Sequence, residues 1–269
     1  MSGRNSAVAV HALTHAGALR PRNEDTVAVG DWIAVNDLRR PKTFYFELER
    51  PLVVVVADGM GGHAAGDVAS CAAAAHIIGH GERMVGRVEA RNIVQDANRE
   101  LYACMERGEG APGMGTTLAG LVLRRDSVVV FNVGDSRAYR WQRGRLVQLS
   151  TDDTPGPKLA NGRTAAHTSP MLTQSLGGHM HFEPVEAHVE MDAPAPDACY
   201  LLCSDGLTDL VESERIATRL QKSEDADEDG DGGEAGRYAG AVRHLFEDAM
   251  AAGGKDNISI VLVHLGRSF

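Results

Sequence analysis

Leu52-Val53-Val54-Val55-Val56-Ala57-Asp58-Gly59-Met60-Gly61-Gly62-His63 runs six apolar residues, four of them β-branched, straight into an acid and a string of glycines. The apolar part reads as a strand, and the pattern that follows, Ala64 to Ile78, reads as a helix. Asp58-Gly59 taken alone is a common turn pair. The stretch also imitates the strand, GxGxxA turn and helix of a dinucleotide site. Asp58 argues against that reading, because a carboxylate at the mouth of the glycine turn repels a pyrophosphate. No second parallel strand with a ribose-binding acid follows.

Outward from this stretch, apolar runs predict strands at Val8 to Val10, Val27 to Val29, Thr116 to Leu123, Val128 to Val133, Tyr200 to Cys203 and Ile258 to Leu265. Helical patterns occupy Val88 to Arg107, Ser213 to Gln221 and Arg237 to Ala251, with Gly79 and Gly253 as stops for the first and last helices. Hairpin-like turns at Arg124 to Asp126 and Arg143-Gly144 predict a mainly antiparallel sheet with helices packed outside, an α+β chain. Thr151 to Pro170 reads as a flap loop, and Ser223 to Gly236 as an acidic flexible loop. The second loop begins like a calcium-binding EF-hand but has Gly236 where the bidentate glutamate belongs.

Aspartates recur where the apolar runs end. Asp58 follows Val53 to Ala57, Asp135 follows Val128 to Gly134, Asp205 follows Tyr200 to Ser204, and Asp256 precedes Asn257 to Leu265. Carboxylates crowded at strand ends repel one another and lose solvation unless a cation holds them ionised. Oxygen-only ligands in an open, hydrated cluster select Mg²⁺ or Mn²⁺. Glu24 and Asp25 add two acids beside Arg20 and Arg22, either of which offers the planar fork that grips a phosphoryl group.

The formal net charge of -10 opposes binding to nucleic acid or an anionic membrane. No stretch approaches the roughly 20 uninterrupted apolar residues of a membrane span, and Met1 to Thr14 lacks the pattern of a signal peptide, so a cytoplasmic location is expected. Cys71, Cys104, Cys199 and Cys203 read as reduced and buried, and none has an arginine six residues later, which excludes a cysteine-dependent phosphatase.

Arg20 with Asn23-Glu24-Asp25, Asp58-Gly59-Met60-Gly61-Gly62-His63, Gly115-Thr116-Thr117, Gly134-Asp135-Ser136-Arg137, Ser204-Asp205-Gly206 and Asp256-Asn257 together resemble the bacterial metal-dependent serine/threonine protein phosphatases of type 2C. The matches run in family order from Leu19 to Val263. The resemblance implies one catalytic domain over residues 1–269, built on a sandwich of two mainly antiparallel sheets flanked by helices on both sides. It implies two core Mn²⁺ or Mg²⁺ ions: Asp58 bridges them, the Gly59 carbonyl helps hold the second, and Asp205 and Asp256 complete the first. Glu24 and Asp25 act through water, Asp135 shares a third, weaker ion with Asp205, and Arg20 binds the substrate phosphate. The implied reaction is attack on phosphorus by a metal-bridging water or hydroxide. Phosphorylated proteins are the implied substrates, a serine/threonine kinase the opposing enzyme, and a monomer the expected state.

Two departures stand out. Several relatives carry a histidine directly after Asp-Gly as proton donor to the leaving group, whereas here Met60, a thioether, cannot donate; His63 or a water on a metal is left for that role. The strand-to-flap junction often reads Asp-His-Ser in relatives but is Thr151-Asp152-Asp153-Thr154 here. The alternative function is a catalytically weak, partner-binding member of the same fold.

Overall fold

A computed structural model describes residues 8–60, 65–155, 171–225 and 233–266. In chain order the elements are β1 (Val8–His15), β2 (Asp25–Val29), β3 (Trp32–Ala34), β4 (Lys42–Phe46), β5 (Leu52–Met60), α1 (Gly66–His80), α2 (Arg87–Glu106), β6 (Gly115–Thr116), β7 (Leu118–Leu123), β8 (Val128–Val133), β9 (Arg137–Gln142), β10 (Arg145–Gln148), β11 (Leu176–Gly177), β12 (His188–Asp192), β13 (Cys199–Cys203), α3 (Asp205–Thr208), α4 (Ser213–Asp225), α5 (Gly233–Ala251) and β14 (Ile258–Leu265). One sheet has the order β10-β9-β13-β14-β1-β4. The other runs β11-β6-β5-β7-β8-β12, with β2 and β3 joined to it through β5. Every pairing described is antiparallel.

The unbroken valine run of β5 is explained by burial on both faces. Val54 and Val56 face the space between the sheets with Val10, Ala12, Leu202 and Val261. Val53, Val55 and Ala57 face Ala69, Ala73 and Ile77 of α1 and Ile93 and Leu101 of α2. The second sheet repeats the device, with Leu201, Ile260 and Leu262 turned toward Ile216 and Leu220 of α4 and Val242 and Leu245 of α5. Each fully buried Val or Leu contributes roughly 1.5–3 kcal/mol, so these runs specify four layers with the two sheets in the middle. The acids lie where central strands of the two sheets end or begin, Asp25 and Asp58 in one sheet and Asp205 and Asp256 beside the other.

Several local expectations are corrected. The strand does not end at Asp58: β5 continues to Met60, with Gly59 and Met60 paired to Thr116 and Gly115, so Asp58-Gly59 is not a turn. Gly79 does not stop α1, which runs to His80 and passes into a 3-10 turn, Gly81–Arg83. Gly79 is exposed with open space around it, and a glycine at such a helical position costs only about 1 kcal/mol. The acidic loop is shorter than expected, since 223–225 complete α4 and 233–236 open α5; residues 226–232 lie outside the described residues. So do 156–170 of the flap, whose described part, 151–155, contains no helix or strand. Cys71 is half-buried, unlike the other three cysteines. Arg143-Gly144 does form a two-residue hairpin turn, with φ of 50° and 72°. No helix among the described residues is long and apolar enough to cross a membrane.

Candidate metal centre

Asp25 opens β2 and Asp58 lies near the end of β5, and the antiparallel register sets the two directly opposite each other. Like charges in that position are destabilising, and Asp25 is only 1% exposed. Asp205 arrives from the other sheet, at the corner where β13 becomes α3, and Asp256 from the turn before β14. Asp135 follows β8. Burial, then repulsion from Asp25, Asp205, Asp256 and Asp135, pushes Asp58 well above the usual carboxylate range. Burial and the neighbouring acids likewise push Asp25 and Asp205 up to about 7 and Asp135 to about 6. Sequence positions more than two hundred residues apart thus form one electrostatic unit.

Polar side chains brace this unit. Ser204 Oγ donates to Asp25 Oδ2 at 2.8 Å and accepts from the Ser259 amide at 3.0 Å, which ties the two sheets together under the site. The Gly115-Thr116-Thr117 motif braces Asp58: the Asp58 amide donates to Thr117 Oγ1 at 3.1 Å, and Thr116 Oγ1 and the Thr117 amide both donate to the Asp58 carbonyl at 2.9 Å. Thr117 is fixed in turn by Ser136 at 2.7 Å. Asn257 clips down the loop that carries Arg20 and Glu24. Its Nδ2 donates to the carbonyls of Arg22 at 2.8 Å and Ala16 at 3.1 Å, and its Oδ1 accepts from the Glu24 amide at 2.8 Å. Gly59 and Gly66 allow β5 and α1 to meet at Glu24: a Cβ on Gly59 would lie 2.1 Å from the Gly66 carbonyl oxygen, and one on Gly66 2.7 Å from Glu24 Oε2.

Arg20 Nη2 donates to Asp256 Oδ2 at 2.5 Å, and its guanidinium also feels Asp58 and Asp205. The structure therefore brings Arg20, Glu24, Asp25, Asp58, Gly59, Asp135, Asp205 and Asp256 to one end of the sandwich. His63 lies outside the described residues. Asp209, at the end of α3, was not among the acids read from the sequence, yet it adds to the repulsion on Asp135 and Asp205; its position four residues after Asp205, one turn along the helix, was the available signal. Asp152 and Asp153, which replace the family's usual junction, have separate tasks. Asp152 takes a fork of hydrogen bonds from Arg137 Nε and Nη2 at 2.9 and 2.7 Å. Asp153 accepts from the Gly134 amide at 2.8 Å and Gln174 Nε2 at 2.9 Å, and meets His188 Nε2 at 2.8 Å. It thereby joins both ends of the flap to the turn that bears Asp135.

These residues fit divalent cations. Asp25 Oδ1 and Asp205 Oδ1 are buried without a hydrogen-bond partner among the described residues, which costs roughly 1–3 kcal/mol each. No three His, Cys, Asp or Glu side chains among the described residues close on a single point. An open row of oxygen donors suits cations that keep much of their water, as Mg²⁺ and Mn²⁺ do, rather than an enclosed cage.

Comparison with known proteins agrees with this chemistry. The protein phosphatase 2C family profile matches residues 42–231. The serine/threonine protein phosphatase PstP of Mycobacterium tuberculosis is 32% identical over 91% of this chain, which spans 43% of that relative's length. The serine/threonine phosphatase stp of Listeria monocytogenes is 31% identical over 93% of both proteins. The crystal structure of mycobacterial PstP superimposes with a TM-score of 0.73 over 96% of this chain and 99% of that one, at 30% identity. A second structure of the PstP catalytic domain, with a TM-score of 0.72 over 96% of this chain and 99% of that one at 28% identity, contains two manganese ions. Sequence, fold and the clustered carboxylates thus converge: the chain belongs to the protein phosphatase 2C family.

Proposed function

We propose that this chain is a Mn²⁺- or Mg²⁺-dependent phosphatase that hydrolyses phosphoserine and phosphothreonine in proteins. The observation that carries the reading is the row of mutually repelling aspartates with a half-exposed arginine leaning over it. Asp58, the Gly59 carbonyl, Asp205 and Asp256 would hold two core ions, Glu24 and Asp25 would act through water, and Asp135 with Asp205 would hold a third. Bound Mn²⁺ or Mg²⁺ supplies Lewis acidity and an acidified water near neutral pH.

The protein's own part is positioning. Ser204, Thr116, Thr117 and Asn257 hold the carboxylates and the Arg20 loop in fixed places before substrate arrives, and such preorganisation is what lowers a phosphoryl-transfer barrier. Arg20 receives the phosphate. Its side chain is 54% exposed and that of Asp256 35%, and an ion pair so open to water is worth about 0–1 kcal/mol. A phosphate dianion, which accepts two parallel N–H bonds, can therefore draw the guanidinium away from Asp256 at little cost. Met60 can give no proton to the leaving group, which leaves His63 as the side-chain candidate. We further place this catalytic domain in the cytoplasm, acting as a monomer opposite a serine/threonine kinase.

Hydrolysis of phosphoserine, phosphothreonine and phosphotyrosine peptides, before and after chelation and with Mn²⁺ restored, tests the reading. Turnover of the first two that stops in chelator and returns with Mn²⁺ is expected. Undiminished turnover in chelator would refute it.

A further inference from the structure

We propose that the groove beside the metal centre, along α1, binds the polypeptide that flanks the phosphorylated residue and favours substrates carrying a basic side chain near that residue. This rests on the phosphatase reading above. The groove has a volume of about 870 Å³. Its floor is one face of α1, formed by Asp67, Val68, Cys71, Ala72 and Ala75, positions whose spacing of one, three, one and three residues keeps them on a single side of a helix. None of the five is fully buried, whereas Ala69, Ala73, Ala74 and Ile77 on the opposite side pack under the sheet. Here α1 therefore presents to solvent a strip of small, largely apolar side chains. Cysteine and alanine, with their short side chains, leave the floor low.

Two observations identify the occupant. The groove is continuous with the site: one wall contains Arg22 and Asn23, from the loop that carries Arg20 and Glu24. Asp67 begins the floor next to Gly66, which lies against Glu24. A peptide whose phosphate reached Arg20 would have its neighbouring residues over this trough. The second observation is charge. The lining includes the carboxylates of Asp37, Asp67 and Glu109 against the single guanidinium of Arg22. Glu109 is paired with Arg107, while Asp37, among the described residues, accepts from the Ala16 amide and stands 3.8 Å from His15. Asp67 accepts from the backbone amide of Val68. Neither Asp37 nor Asp67 has a lysine or arginine partner among the described residues, so both can pair with a cationic side chain on a bound peptide.

The test uses the Mn²⁺-loaded chain, p-nitrophenyl phosphate, and two phosphothreonine peptides of equal length that differ only in flanking arginines or flanking glutamates. Wild type should favour the arginine peptide by about tenfold in kcat/KM. Ala75→Trp, which fills the trough, should cut kcat/KM for both peptides about tenfold and leave p-nitrophenyl phosphate within twofold. Asp67→Asn with Asp37→Asn should remove the preference while leaving the small ester unchanged. Peptide kinetics unaffected by Ala75→Trp, or an equal preference for the two peptides in wild type, would overturn the proposal. If no phosphate ester is hydrolysed at all, the phosphatase reading fails instead. The groove is then judged by fluorescence anisotropy of the labelled arginine peptide in chelator: binding lost in Ala75→Trp supports it, and binding equal to wild type overturns it.

Discussion

Asp25 and Asp58 stand directly opposite each other in the β2–β5 ladder, with Asp25 almost wholly buried. A folded chain keeps two facing carboxylates only if something offsets their repulsion and lost solvation. Hydrogen bonding from the Ser204 and Ser259 side chains offsets part of this, and bound cations would offset more. The site is thus built at the expense of metal-free stability.

The first prediction concerns that trade. Asp25 and Asp205 are raised from 3.8 to about 7 and Asp135 to about 6, chiefly by burial. Folded-state values above the unfolded ones mean that the stability linked to these groups is complete below about pH 4 and is lost as pH rises through 6 to 7. Added Mn²⁺ should accordingly raise Tm more at pH 8 than at pH 5. Asp58→Asn should melt higher than wild type in chelator at pH 8, because one of the facing charges is gone, while losing nearly all phosphatase activity. Equal Mn²⁺-induced shifts at the two pH values would contradict this account.

If Arg20 receives the phosphate as proposed, Arg20→Ala should raise KM for phosphopeptides about tenfold with a smaller change in kcat, because the dianion it would grip is already present in the ground state. Asp256, freed from its partner, stays in place through its own bond to the Asn257 amide. Steady-state kinetics with unchanged KM and kcat would remove Arg20 from the site.

Asn257→Asp keeps the acceptor for the Glu24 amide but loses both donors, to the carbonyls of Ala16 and Arg22. At about 1 kcal/mol per bond, plus a new charge beside Asp256, a loss of roughly 2–4 kcal/mol in denaturant melts is expected. KM should rise as well, since the Arg20 loop is no longer clipped. A variant that only melts lower, with wild-type KM, would show that the clip is purely structural.

On the proposed ligand set, Asp135→Ala should leave the two core ions bound and reduce turnover, because Asp58, Asp205 and Asp256 remain while the ligand proposed for a third ion is gone. Calorimetric Mn²⁺ titration and phosphopeptide kinetics on one preparation decide the matter. Wild-type kcat with only a lowered Tm would assign Asp135 to the turn instead.

Replacing residues 226–232 by a short Gly-Ser linker should leave Tm and turnover of a small phosphate ester unchanged, since loop-closure entropy varies only slowly with the length of a connection. Extending the deletion back to Ser223 should destabilise the chain. It removes Glu224, whose carboxylate accepts from the buried Trp141 indole at 3.1 Å, and an indole N–H left without a partner costs about 1–3 kcal/mol. Thermal melts of the two deletions compare these effects directly.

Local chemistry made the apolar strands, most helices and the recurrence of aspartates legible in the residues alone, because burial periodicity and β-branching act within a few positions. The short edge strands β4, β10, β11 and β12 were not legible, being polar or only two to five residues long and set by the neighbours they pair with. Asp58 shows the same division. Its Asp-Gly pair carries the local signature of a turn, and only the partners Asp25 and Thr116 across the ladder keep β5 extended through Gly59. The sequence by itself determined which acids the chain owns and that apolar runs must bury them near strand ends. Tertiary structure alone decided that Asp25, Asp58, Asp135, Asp205 and Asp256 share one charge environment, that Arg20 rests on Asp256, and that Asn257 and Ser204 hold the parts in register, because those relations join residues far apart in the chain and exist only once the two sheets have packed.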